Sequence, residues 1–325
     1  MTRHDVFNGD ADGICALRQL RLAQPADAVL VTGMKHEIAL LGRVRADPGD
    51  EVTVLDLSLD RNRTALSALL ARGVRVRYFD HHYAGEVPDH PGLEATLDAS
   101  GAACTSELVD RYVGGRFRAW AVVGAFGDNF PAAAARLALG LDLDAGRLER
   151  LRELGECLNY NAYGASEAEV VIAPEQLYRI VSRYEDPVAL IEGEPVIAHI
   201  ARERRADLER AMALPAWRST VGAEIHLLPD EPWSRRALGA LANRHALGEP
   251  HRAHAVLAPL PGGGYAASVR SPRTGGITAE GFCRLFPGGG GRATAAGIER
   301  LDAAQLEEFA GAFTRAFVNP NGRTP

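Results

Sequence analysis

The sequence predicts an α/β protein: a doubly wound parallel-sheet domain, then a smaller mixed α/β domain, joined by a helical linker. Three observations carry this. Short apolar β-type runs alternate with amphipathic helical stretches from His4 to Phe79. A charged helical stretch over 198–213 has Pro187, Pro195 and Pro215 around it. Beyond that stretch the pattern becomes mixed, and two strand-like runs follow each other directly. Strands that alternate with helices imply a parallel sheet covered on both faces. The expected division is 1–190 for the first domain, 191–216 for the linker and 217–325 for the second.

In chain order, His4–Asn8 reads as a strand, Gly13–Ala23 as a helix and Ala28–Thr32 as a strand. Glu51–Leu57 is a third strand, Arg61–Ala71 a helix and Val74–Phe79 a fourth strand. From Ala102 to about Tyr184 the reading is mainly helical. The second domain is expected to hold strands at 222–228, 252–258 and 265–270, with helices at 234–246, 277–285 and 303–317. Gly262-Gly263-Gly264 between two of these strands predicts a hairpin loop. The polar tail Asn319–Pro325 is expected to fray.

At 325 residues the chain is long enough for two domains. It has no run of about 18 apolar residues to span a bilayer, and no apolar segment follows Met1–Asp5 to act as a secretion signal. A cytoplasmic location, away from membranes, is expected. Cys15, Cys104, Cys157 and Cys283 form no C-x-x-C pair, which argues against a zinc ribbon or redox dithiol. They are expected to be buried and reduced. The net charge of −6 argues against a general nucleic-acid binder. Its distribution is uneven: residues 1–197 hold 20 Lys and Arg against 30 Asp and Glu, whereas 198–325 hold 16 against 12. Metals in the first half and anions at the second would account for that split. Lys35 is the only lysine among 36 basic residues. Arginine suits bidentate phosphate binding, but a GC-rich coding sequence gives the same bias and is the stronger explanation.

In an open parallel sheet, ligands bind beyond the C-terminal ends of the strands. The acidic residues gather there. The first strand runs into Asn8-Gly9-Asp10-Ala11-Asp12-Gly13, the third into Asp56, and the fourth into Asp80-His81-His82. Gly127-Asp128-Asn129 follows the apolar run Ala119–Phe126. Taken singly, Asp56 reads equally well as a helix cap and Asp10-x-Asp12-Gly13 as a turn, and Gly127-Asp128-Asn129 reads better as a turn than as a ligand. Together, aspartates with one or two histidines and no cysteine make a hard, oxygen-rich set, suited to manganese or magnesium.

This constellation resembles the DHH phosphoesterase family, which includes RecJ-type exonucleases and nano-RNases. Asp10-x-Asp12-Gly13, Asp56, Asp80-His81-His82 and Gly127-Asp128 match its four motifs in order. The second half resembles the associated DHHA1 domain, through Ser268-Val269-Arg270-Ser271 and Gly289-Gly290-Gly291-Arg292-Ala293-Thr294-Ala295-Ala296-Gly297. The resemblance implies two Mn²⁺ ions, with Mg²⁺ as a substitute. Asp10 and Asp56 would hold one ion; Asp12, Asp56, His81 and Asp128 would hold the other, with Asp56 bridging. Two such ions about 3.5–4 Å apart clamp both oxygens of an in-line displacement. Asp80 would orient a neighbouring ligand and His82 would face the substrate phosphate.

Two positions depart from the family pattern. Asn8 stands where many relatives have a histidine or aspartate as an additional first-ion ligand, and its amide oxygen brings no charge, so the first ion is expected to bind weakly. Arg292 stands where the family has histidine. Gly288–Gly291 is expected to leave successive backbone N–H groups free as an anion-binding concavity. Arg270, Ser271, Gly289, Gly290, Gly291 and Arg292 are then the phosphate-binding set. The expected activity is Mn²⁺-dependent hydrolysis of phosphodiester or phosphate-ester bonds in small nucleotides or short oligonucleotides, with a homodimer allowed. The alternatives are a RecJ-like single-strand 5′ exonuclease and a non-catalytic nucleotide-binding protein.

Overall fold

Five parallel strands form the first sheet of the computed structural model, which describes residues 1–272 and 276–317. They are β1 (Arg3–Asn8), β2 (Val29–Gly33), β3 (Glu51–Leu55), β4 (Arg75–Asp80) and β5 (Leu93–Leu97). Their spatial order is β2-β1-β3-β4-β5. The helices of this part are α1 (Ala11–Ala23), α2 (Leu59–Ala71), α3 (Thr105–Tyr112), α4 (Arg118–Gly127), α5 (Pro131–Ala138), α6 (Ala145–Asn161), α7 (Pro174–Val181) and α8 (Pro187–Gly193).

Side chains alternate across a strand, and the two sheet faces enter different cores. Phe7, Leu55 and Phe79 pack with residues of α1, α4 and α6. Val6, Val54 and Tyr78 pack with Leu66, Leu69 and Leu70 of α2. The sheet is therefore doubly wound. Its order reverses at β1, which lies between β2 and β3, and in open sheets of this kind ligands bind at the C-terminal ends of the strands beside such a reversal, here β1 and β3. Gly13 lets α1 start tight against β1: a Cβ there would lie 2.2 Å from the Asn8 carbonyl oxygen.

The second sheet is mixed, with order β10-β11-β9-β8-β7-β6. After α9 (Pro195–Met212) come β6 (Arg218–Ser219), β7 (Ala223–Leu227), α10 (Pro232–Gly248), β8 (Ala253–Pro259) and β9 (Tyr265–Arg270). Then follow α11 (Ala279–Cys283), β10 (Gly289–Arg292), β11 (Ala295–Leu301) and α12 (Leu306–Ala316). β7 and β8 are parallel, and the other neighbours are antiparallel. One face packs Ile225, Ala255, Leu257 and Val269 against Phe282, Phe309 and Phe313. The other packs Val256 and Ala258 against Leu238 and Leu241 of α10. Gly262, Gly263 and Gly264 make the β8–β9 hairpin turn with φ of 80°, 92° and 77°, a conformation that favours glycine. All four cysteines are buried and unbonded.

The chain divides into one unit of Met1–Ala162 with Val170–Ala201, and another of Tyr163–Glu169 with everything from Arg202 onward. This differs from an uninterrupted first domain over 1–190. The short excursion has a physical cause: Arg235 of α10 holds the Glu169 carboxylate through Nη2 and Nε at 2.7 and 2.8 Å, and Arg236 donates to the Glu169 carbonyl at 2.7 Å. The region expected as a separate linker is divided between the units. No helix among the described residues is long and apolar enough to cross a membrane. The tail Asn319–Pro325 lies outside the described residues.

Candidate functional site

Asp10 leaves β1 and caps α1, accepting the N–H groups of Asp12 at 3.0 Å and Gly13 at 3.2 Å. Helix N-termini leave such donors unsatisfied, and a carboxylate is a preferred acceptor for them. The cap places Asp12 in the first turn, fully buried. Asp12 is in turn gripped by the start of α3: its oxygens accept the N–H of Thr105 at 2.7 Å and of Ser106 at 2.8 Å, and the Ser106 hydroxyl.

Asp56 follows β3 with φ 59°, a left-handed conformation that costs an L-residue roughly 1–2 kcal/mol. Its backbone N–H donates to the Phe79 carbonyl at 3.0 Å and its Oδ1 accepts the Thr105 hydroxyl at 3.1 Å. Such conformations persist where the surroundings over-determine them, and they cluster at functional sites. His81, just past β4, presents Nε2 to three carboxylates: Asp56 at 3.4 Å, Asp128 at 3.6 Å and Asp12 at 3.9 Å. Asp128 comes from the C-terminal end of α4 and not from a strand.

Burial and the charge of Asp56 push the Asp12 carboxyl up to about 7. Burial and Asp10 push Asp56 well above the usual carboxylate range. Burial and the neighbouring His82 lower His81, leaving its ring neutral near pH 7. Three carboxylates crowded around a neutral imidazole repel one another, and buried charges of this kind need pairing or a metal. The donor set, three carboxylates and one imidazole nitrogen, fits a hard divalent ion such as Mn²⁺ or Mg²⁺. His82 is different: its ring is 46% exposed, and Nδ1 lies 2.7 Å from Asp80 Oδ1. Burial opposes charge on this ring, but Asp80 outweighs it and raises its pKa. Asp80 itself is fully buried, and its Oδ2 has no hydrogen-bond partner among the described residues.

The expected first-ion residues have other contacts. Asn8 Oδ1 accepts the Asp10 N–H at 3.3 Å, and Asn8 Nδ2 lies 3.5 Å from the Lys35 carbonyl. The ammonium of Lys35, just past β2, pairs with Asp10 Oδ2 and lies 3.2 Å from Asp128 Oδ1 and 3.0 Å from Asn159 Oδ1. A fixed positive charge therefore stands beside the carboxylate expected to hold the first ion. Sequence reasoning missed Lys35, Thr105, Ser106 and Asn159. Only Lys35 carried a signal, as the sole lysine of the chain.

In the second sheet the glycine segment departs from expectation. Gly289–Arg292 is not an open concavity but an edge strand, paired antiparallel with β11. The glycines serve close packing: a Cβ at Gly289 would lie 1.8 Å from the Cys283 carbonyl oxygen, and one at Gly291 2.5 Å from Ala296 Cα. Gly290 has open space. Ser271 also has a structural task, accepting the Ala279 N–H at 2.9 Å and donating to the Ala293 carbonyl at 3.2 Å. Register does bring the two arginines together. Arg292 faces Ala295, which faces Arg270, so both arginines project on one face with a small side chain between them. Arg270 is steadied by Asn243 at 2.7 Å and by Ser268 Oγ at 3.0 Å.

A cavity of about 390 Å³ lies at the opposite, N-terminal ends of the first-sheet strands, lined by Arg3, Arg21, Arg75 and Arg77 among others. These arginines are paired with Glu51, Asp5 and Glu94, so the carboxylate cluster is the better candidate.

No protein-family model and no curated protein sequence matches the chain. Solved structures do. The exonuclease RecJ bound to manganese aligns with TM-score 0.59 and 19% identity over 100% of this chain and 91% of that one. RecJ of Thermus thermophilus in complex with Mn²⁺ gives 0.64 and 19%, over 97% of this chain and 51% of that one. The DHH domain of a member of a ribosomal-protein family gives 0.63 and 16%, over 97% and 86%. In the order of its elements, its five-stranded parallel sheet and its second mixed sheet, this chain has the fold of the DHH-family phosphoesterases.

Proposed function

We propose that the chain is a divalent-cation-dependent phosphoesterase acting on phosphodiester or phosphate-ester bonds of small nucleotides or short oligonucleotides. The convergence of Asp12, Asp56 and Asp128 on His81 Nε2 at the C-terminal edge of the parallel sheet carries this reading. Those four residues would hold Mn²⁺ or Mg²⁺, which when bound supplies Lewis-acid polarisation of a phosphoryl oxygen. The start of α3 fixes the two buried carboxylates, Asp12 through Thr105 and Ser106 and Asp56 through the Thr105 hydroxyl. Contacts of this kind orient ligands and tune their basicity. Asp80 holds Nδ1 of His82, so the exposed ring offers its other nitrogen to a substrate phosphate. In place of two ions, this reading has one ion and the Lys35 ammonium. Arg292, with Arg270 beside it, would grip a non-scissile phosphate.

Lys35 also favours a second reading, a nucleotide-binding protein without catalysis, because two-ion chemistry would have lost one ion. A hydrolysis screen in Mn²⁺ separates the two readings. It would cover bis-p-nitrophenyl phosphate, pAp, cyclic dinucleotides, RNA dinucleotides and 5′-labelled single-stranded DNA. Turnover of a small substrate, abolished in Asp56→Asn, is the expected result. Release of 5′ nucleotides from the long strand alone would favour the exonuclease. Nucleotide binding without turnover of any substrate would favour the binding protein and end the enzymatic reading.

A further inference from the structure

On the α10 side of the second sheet, four titratable side chains meet that the proposed hydrolysis does not use. Glu224 and His226 share one face of β7, His254 stands opposite Glu224 on β8, and His245 reaches them from α10. One atom is their common focus. Glu224 Oε2 lies 3.2 Å from His226 Nε2, 3.5 Å from His254 Nδ1 and 3.9 Å from His245 Nδ1. The His245 ring stacks on both others, with centroids 4.1 Å from His226 and 5.6 Å from His254.

The nitrogens here are poorly served by protein. His226 is 5% exposed and His254 0%. Among the described residues, Nδ1 of His226 and Nδ1 of His254 have no hydrogen-bond partner, and Nε2 of His226 meets only the Glu224 carboxylate. The His254 tautomer follows from geometry. Its Nε2 lies 3.1 Å from the Glu249 carbonyl, which can only accept, so Nε2 carries the proton. In the neutral ring, Nδ1 then turns a lone pair toward a carboxylate oxygen. Two electron-rich atoms facing each other in a dry site are unfavourable unless a cation lies between them. The other Glu224 oxygen lies 3.5 Å from Arg252 Nη1, and Oε2 is left to the histidines.

We propose that Glu224, His226 and His245 form a second metal site, one that takes a borderline transition ion, zinc foremost. A tetrahedral ion with donors about 2.0–2.2 Å away sets its donors roughly 3.3–3.6 Å apart, and the distances from Oε2 to His226 and His245, 3.2 and 3.9 Å, bracket that spacing. Imidazole-rich sets select zinc and its transition-metal neighbours, whereas carboxylate sets suit manganese and magnesium. Three protein donors hold a tetrahedral ion and leave its fourth position open. The ion would tie α10 to β7.

The test uses the full chain, stripped of metal and then given Zn²⁺. Asp12→Asn removes a ligand of the carboxylate centre and isolates the second site. After desalting, this variant should retain one zinc per chain, and X-ray absorption should show scattering from two imidazoles. The carboxylate centre itself offers His81 and His82, so the site is identified by zinc that is lost in His245→Ala and kept in His81→Ala, a comparison made in the parent chain should Asp12→Asn fail to fold. Glu224→Gln and His245→Ala, added separately, should weaken zinc by more than the 10–100-fold typical of losing an outer partner. Zinc that washes off the Asp12→Asn protein would overturn the proposal. So would a spectrum with a single imidazole, or equal retention in folded Glu224→Gln and His245→Ala variants.

Discussion

In the first unit, carboxylates hang from segments that have just left β1, β3 and α4; in the second, imidazoles stand on the flat of a sheet beneath a helix. The backbones differ accordingly. Asp56 takes a left-handed conformation to reach His81, whereas Glu224 and His226 reach their partners by ordinary strand alternation. A site at chain turns can open on one side, and the half-exposed His82 ring beside Asp80 is the exposed part of this one. A site under a helix is more sheltered. The same chain thus carries a hard set and a borderline one, and the following experiments are chosen to pull the two apart.

The largest effect should come from Asp56. Asp56→Asn removes the carboxylate charge but keeps a residue that tolerates the left-handed region. Activity should fall on the order of 10²–10³-fold, the scale for losing one preorganised electrostatic contact. Asp56→Ala should lose as much activity and also about 1–2 kcal/mol of stability from the φ of 59°. Zinc at the histidine site should be untouched in both. A folded Asp56→Asn with near-parental hydrolysis would show that the carboxylate cluster is not the reacting centre.

Lys35 comes next. Lys35→Met leaves Asp10 and Asp128 facing each other without the ammonium, which should open the place for a second hard ion. Mn²⁺ bound at saturation should rise from one to two per chain, read by equilibrium dialysis on zinc-free protein. An unchanged ratio would mean that Asp10 serves α1 as a cap and nothing more.

Much of the first site was legible because each carboxylate directly follows an apolar run, and such runs are read from single residues. Asp10, Asp12, Asp56, His81 and Asp128 needed no knowledge of pairing. Lys35 did, because nothing in its own surroundings announces that β2 lies beside β1. Thr105 and Ser106 act through backbone N–H groups, which have no residue signature. The histidine site was invisible for the same reason: His226, His245 and His254 meet only once β7 and β8 are paired and α10 is laid over them. β5 was missed because Glu94 and Ala95 are exposed on an edge strand and break any apolar alternation. The glycine strand was misread because residues without side chains have no period, and its pairing partner is set by the strand beyond the turn.

Arg292 tests whether the glycine strand takes part in binding at all. A hydrogen bond to a charged group contributes roughly 1.5–3 kcal/mol, so Arg292→Ala should weaken a two-phosphate substrate by about 10- to 100-fold. Bis-p-nitrophenyl phosphate, which has one phosphate, should be affected far less. Equal losses on both would place the arginine outside substrate recognition.

The smallest effect is expected at Ser271, and it separates scaffold from site most cleanly. The resemblance made this hydroxyl a phosphate ligand, yet its oxygen takes the Ala279 N–H at the start of α11 and its proton goes to the Ala293 carbonyl. Both bonds tie the end of β9 to the segments around it. Ser271→Ala should therefore cost stability, about 1 kcal/mol for a lost cap-type contact, which lowers Tm by about 1–2 °C in a chain of this size. KM for the two-phosphate substrate should stay within about twofold, since less than about 0.5 kcal/mol of binding is at stake. Arg292→Ala should show the larger rise in KM. A Ser271→Ala protein with parental Tm and a tenfold higher KM would return the hydroxyl to the phosphate and make the hydrogen bonds to Ala279 and Ala293 incidental.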